Sequence, residues 1–355
     1  MKSTEQQHKK FYKSLGAIHI HTLHSDGTEN VEKISKTAKA YGIDWIIITD
    51  HNNFDVKEGI INGVTVIKGE EISLDDKNHY LCFGINKCLY PSEDISDNIE
   101  EVRSIGGFGF AAHPDERDKR QNSKQAIKWL DKTVIPDGVE IWNWFSQWGD
   151  NYNSKNIFTI AYSYFFRHKL VKKPYRETLE WWDKLNNSKE EITPAIGGID
   201  AHALKIRDYI IPVTVFPYKT TFKTIANEII LDKPLKDDFQ KRKEQIFNAL
   251  KKGNNLIINR KTYKKTPEIY IENSNERISC GKNILLDENT YLNFNCDKKV
   301  KLKIYKNGNE IFNGITKSQK IKITEIGKYR VEAEINGYGY VYSNPIIVKG
   351  ENILG

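Results

Sequence analysis

From its start to about residue 260, the chain alternates two hydrophobic patterns, and this alternation limits the folds it can adopt. Short apolar runs are separated by segments with helical spacing, as shown by Val31, Ile34 and Ala38 within residues 30–42. This order is typical of βα units around a largely parallel sheet. The runs predicted as strands are 16–21, 45–49, 64–68, 79–85, 107–112, 138–142 and 194–198. Seven strands with intervening helices favour an α/β fold closed as a (β/α) barrel over an open sheet.

The pattern changes near Thr266. From there the runs are short, alternate polar with apolar residues, and are separated in places by Asn-Gly and Gly-Asn turns. Such a pattern is typical of a small antiparallel sandwich. We therefore predict a barrel over 1–262 and an all-β, immunoglobulin-like sandwich over 263–355. Before this boundary, 221–231 and 238–252 have helix-like periodicity.

One connection within the barrel is unusually long. Residues 143–193 separate two predicted strands and are rich in aromatic side chains. A connection of this length needs helices of its own, and long excursions in α/β enzymes often cover the site. We predict a helical insertion that either forms a lid or pocket wall, or packs on the flank of the barrel.

Charge and composition exclude several classes of protein. The net charge of +7 is spread along 355 residues, without the basic, aromatic-containing stripe of a dedicated nucleic-acid binder. No apolar run approaches the roughly 20 residues that span a bilayer, and the N-terminus does not resemble a signal peptide. The four cysteines form no CxxC pair. We expect a cytoplasmic protein without a stable nucleic-acid or membrane partner, and its oligomeric state stays open.

The stretch IHIHTLHSDG at residues 18–27 contains three of the nine histidines. Strand alternation places His19 and His21 on one face, where they either bind one metal ion or only form hydrogen bonds. His24 is expected to be a solvated loop residue, with a contact to substrate at the rim of the site as the alternative.

Further metal-competent residues follow or begin the other predicted strands. Since the C-terminal strand ends of a βα barrel converge on one face, these side chains are expected to meet there. The set is His19, His21, Asp50, His51, Glu70, Glu71, His79, His113, Asp200 and His202. Burying imidazoles and carboxylates without partners costs free energy, and the number of ligand-type residues in this set exceeds what one ion needs. The sequence therefore predicts two or three divalent ions.

The ordered motifs HxHTxxSDG, TDH, GxEIS, a following His, AHP and DxH resemble the PHP family, named for its polymerase and histidinol-phosphatase members. The resemblance covers roughly residues 16–260. It implies a distorted seven-stranded βα barrel with a bi- or trinuclear metal centre, usually a phosphoesterase. The tail GKYRVEAEINGYGYVYSNPIIV resembles the C-terminal sandwich of PHP-related proteins, including a carbamate-hydrolase-like branch.

The resemblance also implies which residues hold each ion. The first metal would be held by His19, His21, Glu71 and Asp200. Glu71 would bridge to a second metal, completed by His79 and His113, and a third would be held by Asp26, His51 and His202. Glu71 is preferred over Glu70 because it precedes Ile-Ser in the motif, and Asp50 is expected to orient a ligand. We expect Zn, Mn or Fe.

The implied reaction is hydrolysis of a small phosphate monoester, a phosphometabolite or nucleotide, by a hydroxide that bridges two metals. Asp200, Glu71 and His202 are the expected catalytic residues, with Asp200 orienting the hydroxide or taking its proton. Arg117, Arg207 and Asn143 follow predicted ligands or a strand end, and each either binds substrate or lies on the surface. Two other functions stay open: a metal-dependent carbamate or carboxylic ester hydrolase, and a non-catalytic binding protein.

Overall fold

The structure is a computed structural model that describes residues 10–74, 77–117, 127–151, 157–206, 213–262 and 264–350. Up to residue 198 the strands are β1 (Tyr12–Ala17), β2 (Trp45–Ile48), β3 (Gly59–Ile61), β4 (Val64–Lys68), β5 (Glu70–Leu74), β6 (Lys77–Phe83), β7 (Phe108–Ala111), β8 (Gly138–Asn143) and β9 (Ala195–Gly198). The helices of this part are α1 (Val31–Ala40), α2 (Ile95–Ser104), α3 (Trp144–Asn151), α4 (Ile157–Phe165), α5 (Arg167–Leu170) and α6 (Arg176–Asn187).

The next part contains β10 (Lys205–Ile206), β11 (Val213–Thr214), α7 (Tyr218–Thr221), β12 (Ile225–Leu231), α8 (Phe239–Lys251) and β13 (Asn255–Asn259). The last part is all β. It comprises β14 (Glu268–Glu272), β15 (Arg277–Ile278), β16 (Asn283–Leu285), β17 (Tyr291–Lys306), β18 (Asn309–Lys322), β19 (Gly327–Ile335), β20 (Tyr338–Ser343) and β21 (Ile346–Lys349). No helix in the described ranges is long and apolar enough to cross a bilayer.

The strands that surround the site belong to two sheets. In one sheet β2 lies between β1 and β4 and is parallel to both, while the other has the order β5-β6-β7-β8-β9. Single bridges join the two sheets, one between Ile20 after β1 and Ala201 after β9, and one between His51 after β2 and Glu71 of β5. The mixed α/β fold is confirmed, but the predicted closed seven-stranded barrel is not, because the two sheets are not joined by continuous ladders.

Two sequence-based predictions of secondary structure are wrong. The predicted strand 16–21 stops at Ala17, and His19 has a φ of 68°, which no regular strand contains. The segment 221–231 is not a helix, because its residues from Ile225 to Leu231 form strand β12. This strand pairs with β1 on one side and β13 on the other.

The helix predicted within 30–42 is present as α1, and in both α1 and α2 the caps agree with the apolar faces. Asn30 accepts a hydrogen bond from the Lys33 backbone at the start of α1, and Asp94 does the same for Ser96 at α2. Each helix buries one face against the sheets, for example through Ile34 of α1. The insertion between β8 and β9 contains α3 to α6.

The C-terminal strands continue the sheet that contains β1. Strand β13 forms an antiparallel ladder with β20, and β19, β17 and β14 follow on that side. Their core includes Ala226 and Ile230 of β12 as well as Leu256 and Ile258 of β13. The last part of the chain therefore shares a sheet and a core with the part before it, while its immunoglobulin-like topology stays a prediction.

Candidate metal centre

The nine residues predicted as metal ligands lie together at one end of the two sheets. Their ligand atoms form overlapping groups in which all atoms are within 4.8 Å of one another. The groups are His21 with Asp26, His51 and His202; His19 with His113 and Asp200; His19 with His21 and Glu71; and His51 with Glu71 and His79. Each ligand of the predicted set occurs in at least one group.

Glu71 lies at the centre of this cluster and is fully buried. Its Oε1 atom is 2.8 Å from His79 Nδ1 and 3.3 Å from His113 Nε2. Its Oε2 atom is 3.1 Å from His19 Nε2 and 3.3 Å from both His21 Nε2 and His51 Nδ1. The two oxygens of Glu71 thus face different imidazoles.

Glu70 points away from the cluster, as the alternation of β5 requires. Its carboxylate accepts hydrogen bonds from the Leu89 backbone at 3.0 Å and from Cys88 Sγ at 3.2 Å. Burial raises the pKa of Glu70 to about 7. Of the two neighbouring carboxylates, Glu71 is therefore the one that faces the imidazoles.

Asp200 provides a second buried carboxylate. Its Oδ1 atom is 3.4 Å from His21 Nε2, 3.4 Å from His202 Nδ1 and 3.5 Å from His19 Nε2. Burial alone would raise the pKa of Asp200, but the surrounding imidazoles, His19 and His202 foremost, outweigh burial and hold that pKa well below its usual value. This side chain is therefore an anionic ligand candidate.

Asp26 forms the outer side of the cluster. Its carboxylate is 3.2 Å from His202 Nε2, 3.6 Å from His21 Nδ1 and 3.9 Å from His51 Nε2, and the side chain is 51% exposed. Asp50 does not contact these imidazoles, but it accepts hydrogen bonds from the Thr22 backbone and from Ser25 Oγ in the loop that leads to Asp26. Asp50 thus holds the loop rather than an imidazole ring.

Two features show that the cluster suits metal ions. Both ring nitrogens of His21, and Nε2 of His79, are buried without a hydrogen-bond partner within the described part of the chain. Burial and the neighbouring His202 lower the pKa of His21 to about 4, so its ring is neutral at pH 7 and has a lone pair to donate. Unsatisfied buried nitrogens are rare and costly, and divalent cations would satisfy them.

The backbone is strained at three of the predicted ligands. His19, His113 and Asp200 have φ values of 68°, 28° and 49°, in the left-handed region that such residues seldom adopt. Strain of this kind persists only where the surrounding structure enforces it, and it clusters at functional sites. It also explains how His19 reaches the cluster although it does not lie in a regular strand.

A cavity of about 180 Å³ opens onto the cluster. Seven predicted ligands line it, and α3 of the insertion forms part of its wall through Phe145, Ser146, Gly149 and Asp150. Phe145 packs beside His202, with 5.4 Å between their ring centroids. The start of the insertion is therefore a pocket wall. A larger groove of about 780 Å³ between α8 and the C-terminal strands contains none of the predicted ligands.

Comparison with known proteins identifies the region that carries most of these ligands. Residues 17–106 match the model of the PHP domain family. Over this part of its length the chain is similar to the PHP domain family. An uncharacterized protein of Methanocaldococcus jannaschii is 29% identical over 115 residues, which cover 27% of this chain and 66% of that protein, just under two thirds of its length.

Solved structures with some similarity to this chain include a two-domain protein from Bacteroides vulgatus that contains a predicted PHP-like metal-dependent phosphoesterase. It is 15% identical, with a TM-score of 0.46, over 94% of this chain and 95% of that one. An amidohydrolase from Chromobacterium violaceum, with bound sulfate and no metal, is 13% identical, with a TM-score of 0.32, over 57% of this chain and 92% of that one.

Of the predicted substrate-binding residues, Arg117 and Asn143 do not line this cavity. Arg117 donates to Glu177 at 2.9 Å and stacks over Tyr175, so its guanidinium faces α6. Asn143 is buried beneath the ligands and donates to Asp200 at 3.3 Å. Arg207 lies outside the described residues. His24 is exposed and does not line the cavity, as expected for a loop residue.

Glu140 is a residue of the candidate metal centre that the sequence reasoning missed. It is buried in β8, with Oε1 2.8 Å from His19 Nδ1. Its Oε2 atom accepts hydrogen bonds from the His113 backbone at 2.7 Å and from Asn143 Nδ2 at 3.0 Å. A charged residue within the otherwise apolar run GVEIW was the signal, because a carboxylate in a buried strand needs polar partners.

Proposed function

We propose that this chain is a metal-dependent hydrolase that cleaves a small phosphate monoester. The observation that supports it best is the position of Glu71, whose two oxygens face separate sets of buried imidazoles. A carboxylate so placed suits two ions held side by side, an arrangement that supports in-line attack on phosphorus. We propose two to three ions of Zn, Mn or Fe.

Each ligand has a part in this proposal. One ion would be held by His19, His21, Glu71 and Asp200. A second ion would share Glu71 and be completed by His79 and His113. A third ion would be held by Asp26, His51 and His202. The ions would supply the Lewis acidity that activates water and neutralises phosphate charge. Asp200 lines the cavity, and its carboxylate would orient the attacking water or accept its proton. His202, beside Phe145 at the opening, would steady the phosphate.

The dimensions of the cavity favour a small substrate. At about 180 Å³ it has room for a phosphate with a short organic group, but not for a polymer. Glu116 and Asp150 line the wall, where their carboxylates accept hydrogen bonds from the Ser146 hydroxyl and the Tyr175 hydroxyl. Such acceptors would suit hydroxyl or amino groups on the substrate.

A second candidate is hydrolysis of a carbamate or carboxylic ester. It is favoured by one observation: among the described residues, no lysine or arginine lines the cavity. Enzymes that bind phosphate dianions usually place such cations at the site, whereas a neutral ester does not need them. The same ions and ligands would serve attack on a carbonyl carbon.

The deciding experiment combines metal analysis with a substrate panel. Phosphomonoesters, phosphodiesters, 3′,5′-bisphosphonucleotides, aryl carbamates and aryl esters are assayed with Mn and with Zn. We expect two to three bound ions and fastest turnover of a phosphomonoester. Glu71→Gln should reduce turnover by more than about 100-fold with an unchanged circular dichroism spectrum. Loss of a residue that only hydrogen-bonds to a metal ligand already reduces metal affinity or activity by about 10–100-fold. Turnover of carbamates alone would favour the second candidate, and protein without bound metal would exclude both.

A further inference from the structure

The side chain of Glu140 connects three segments that carry predicted ligands. Its Oε1 atom contacts His19 Nδ1 at 2.8 Å, beyond β1. Its Oε2 atom accepts from the backbone N–H of His113, beyond β7, at 2.7 Å. Asn143 at the end of β8 donates both to Glu140, at 3.0 Å, and to Asp200 beyond β9, at 3.3 Å. The Glu140 carboxylate thus links the segments that follow β1 and β7 directly, and the segment that follows β9 through Asn143.

The contact with His19 determines which ring nitrogen is available to a metal. A carboxylate accepts hydrogen bonds, so His19 Nδ1 carries the proton and Nε2 is the atom left for coordination. That Nε2 atom points at Glu71 and Asp200, at 3.1 Å and 3.5 Å. A histidine whose second nitrogen donates to a carboxylate is also a more basic and better oriented ligand.

Gly198 of β9 leaves the space that the Glu140 carboxylate occupies. A Cβ atom on Gly198 would lie 1.7 Å from Glu140 Oε1, so β9 must have a glycine there. Asn143 is held in turn because its Oδ1 atom accepts a hydrogen bond from the Ser146 backbone in the first turn of α3. Glu140 is therefore fixed by packing on one side and by hydrogen bonds on the other.

We infer that Glu140 is a positioning residue of the metal centre, which orients His19 for coordination and fixes the backbone of His113. This inference rests on the metal-dependent function proposed above. Glu140 touches neither the cavity nor, in the proposed arrangement, any ion, and it acts through the residues that do. Its removal should therefore weaken metal binding without a matching loss of the fold.

Glu140→Gln tests this inference because glutamine has the same shape as glutamate but can accept hydrogen bonds through only one of its two terminal atoms. If its oxygen accepts from the His113 backbone, its NH₂ group faces His19 Nδ1 and favours the tautomer with a proton on Nε2. Chelator-stripped full-length protein is titrated with Zn²⁺ against a chromogenic chelator. We expect the tightest site to bind about 10–100-fold more weakly than in the wild type, and the visible spectrum of the Co²⁺-loaded protein to change.

Glu70→Gln is the matched control, because Glu70 is equally buried but contacts Leu89 and Cys88 rather than a predicted ligand. Its Zn²⁺ affinity and Co²⁺ spectrum should equal those of the wild type. Wild-type affinity and spectrum in Glu140→Gln would overturn the inference while leaving the proposed function intact. A wild-type protein that binds no Zn²⁺ would overturn both. Should Glu140→Gln not fold, Glu140→Asp decides: a folded variant with weakened affinity supports the inference, and one with wild-type affinity refutes it.

Discussion

At the scale of single residues, the predicted ligands differ in how firmly the protein holds them. His19 is buried and supported by Glu140, and His51 Nδ1 contacts Ser73 Oγ at 2.6 Å. Asp26 is half exposed, and its contacts in the described residues are with imidazoles of the cluster alone. An ion held by Asp26, His51 and His202 would therefore be the weakest bound of the three.

Asp26→Asn should remove this outer ion and leave the others in place. The amide is a neutral and weaker ligand, and the exposed position tolerates the change without unfolding. We expect bound metal to fall by about one equivalent per chain, with a melting temperature within a few degrees of the wild type. Metal analysis after gel filtration measures this. Retention of every ion, or loss of all of them, would contradict the prediction.

Most residues of the cluster could be predicted from the sequence, since they are ligand-type side chains at an end of a predicted strand. Asp26 was implied by the family resemblance alone, and Asp50 and Glu70 met the same criterion without joining the cluster. The sequence could not predict how the residues of the cluster meet. His19 enters the site through a left-handed φ rather than through strand alternation, and Gly27 is needed because a Cβ there would lie 2.3 Å from the His21 carbonyl oxygen. Such conformations depend on tertiary contacts that no local pattern contains.

At the scale of elements, strand β12 shows why periodicity misled. Ala226 and Ile230 enter the core of the C-terminal strands, while Ile225 and Ile229 belong to the two cores of the preceding part of the chain. A strand buried on both faces has no polar alternation, so its apolar spacing resembles that of a helix. The error arose because two cores share one strand, which the local sequence does not reveal.

Helix α6 links the C-terminal strands to the segment after His113. At its start, Thr178 Oγ1 donates to Asp115 at 2.8 Å. Near its end, Asp183 forms two hydrogen bonds of 2.7 Å with Arg330 of β19. The Arg330 guanidinium is buried and stacks on Tyr305, at 4.1 Å from the ring centroid. The ion pair therefore fixes α6 to the last part of the chain.

Arg330→Met should destabilise the protein strongly, because it leaves the buried carboxylate of Glu332 and the partly buried carboxylate of Asp183 without their cation. Breaking a buried pair at one partner costs about 3–5 kcal/mol. Urea denaturation followed by circular dichroism measures this loss. Asp183→Leu in the same chain should restore part of the stability, since the double variant buries one charge fewer. A double variant less stable than Arg330→Met alone would contradict this account.

At the scale of the whole molecule, the predicted barrel and sandwich share buried polar contacts. The Asn344 side chain accepts from the Ala195 backbone at 2.6 Å and donates to the Asn255 carbonyl at 3.2 Å, and it is fully buried. The rings of Trp142 and Tyr342 meet edge to face, with 5.5 Å between centroids. Residues of β8 and β9, which lead to the metal centre, and residues of β13 thus complete their packing with β20 and the segment after it.

We therefore expect the chain to unfold in a single cooperative transition. Removing residues 263–355 would expose the β13 edge and the apolar side chains of Leu256 and Ile258, and it would leave the Asn255 side chain without one of its partners. Scanning calorimetry of the full chain should show one peak whose calorimetric and van't Hoff enthalpies agree. A chain ending at residue 262 should be insoluble or lack a cooperative transition. Two separate peaks, or a truncated chain that melts cooperatively and binds metal as the full chain does, would show that the predicted domains are energetically independent.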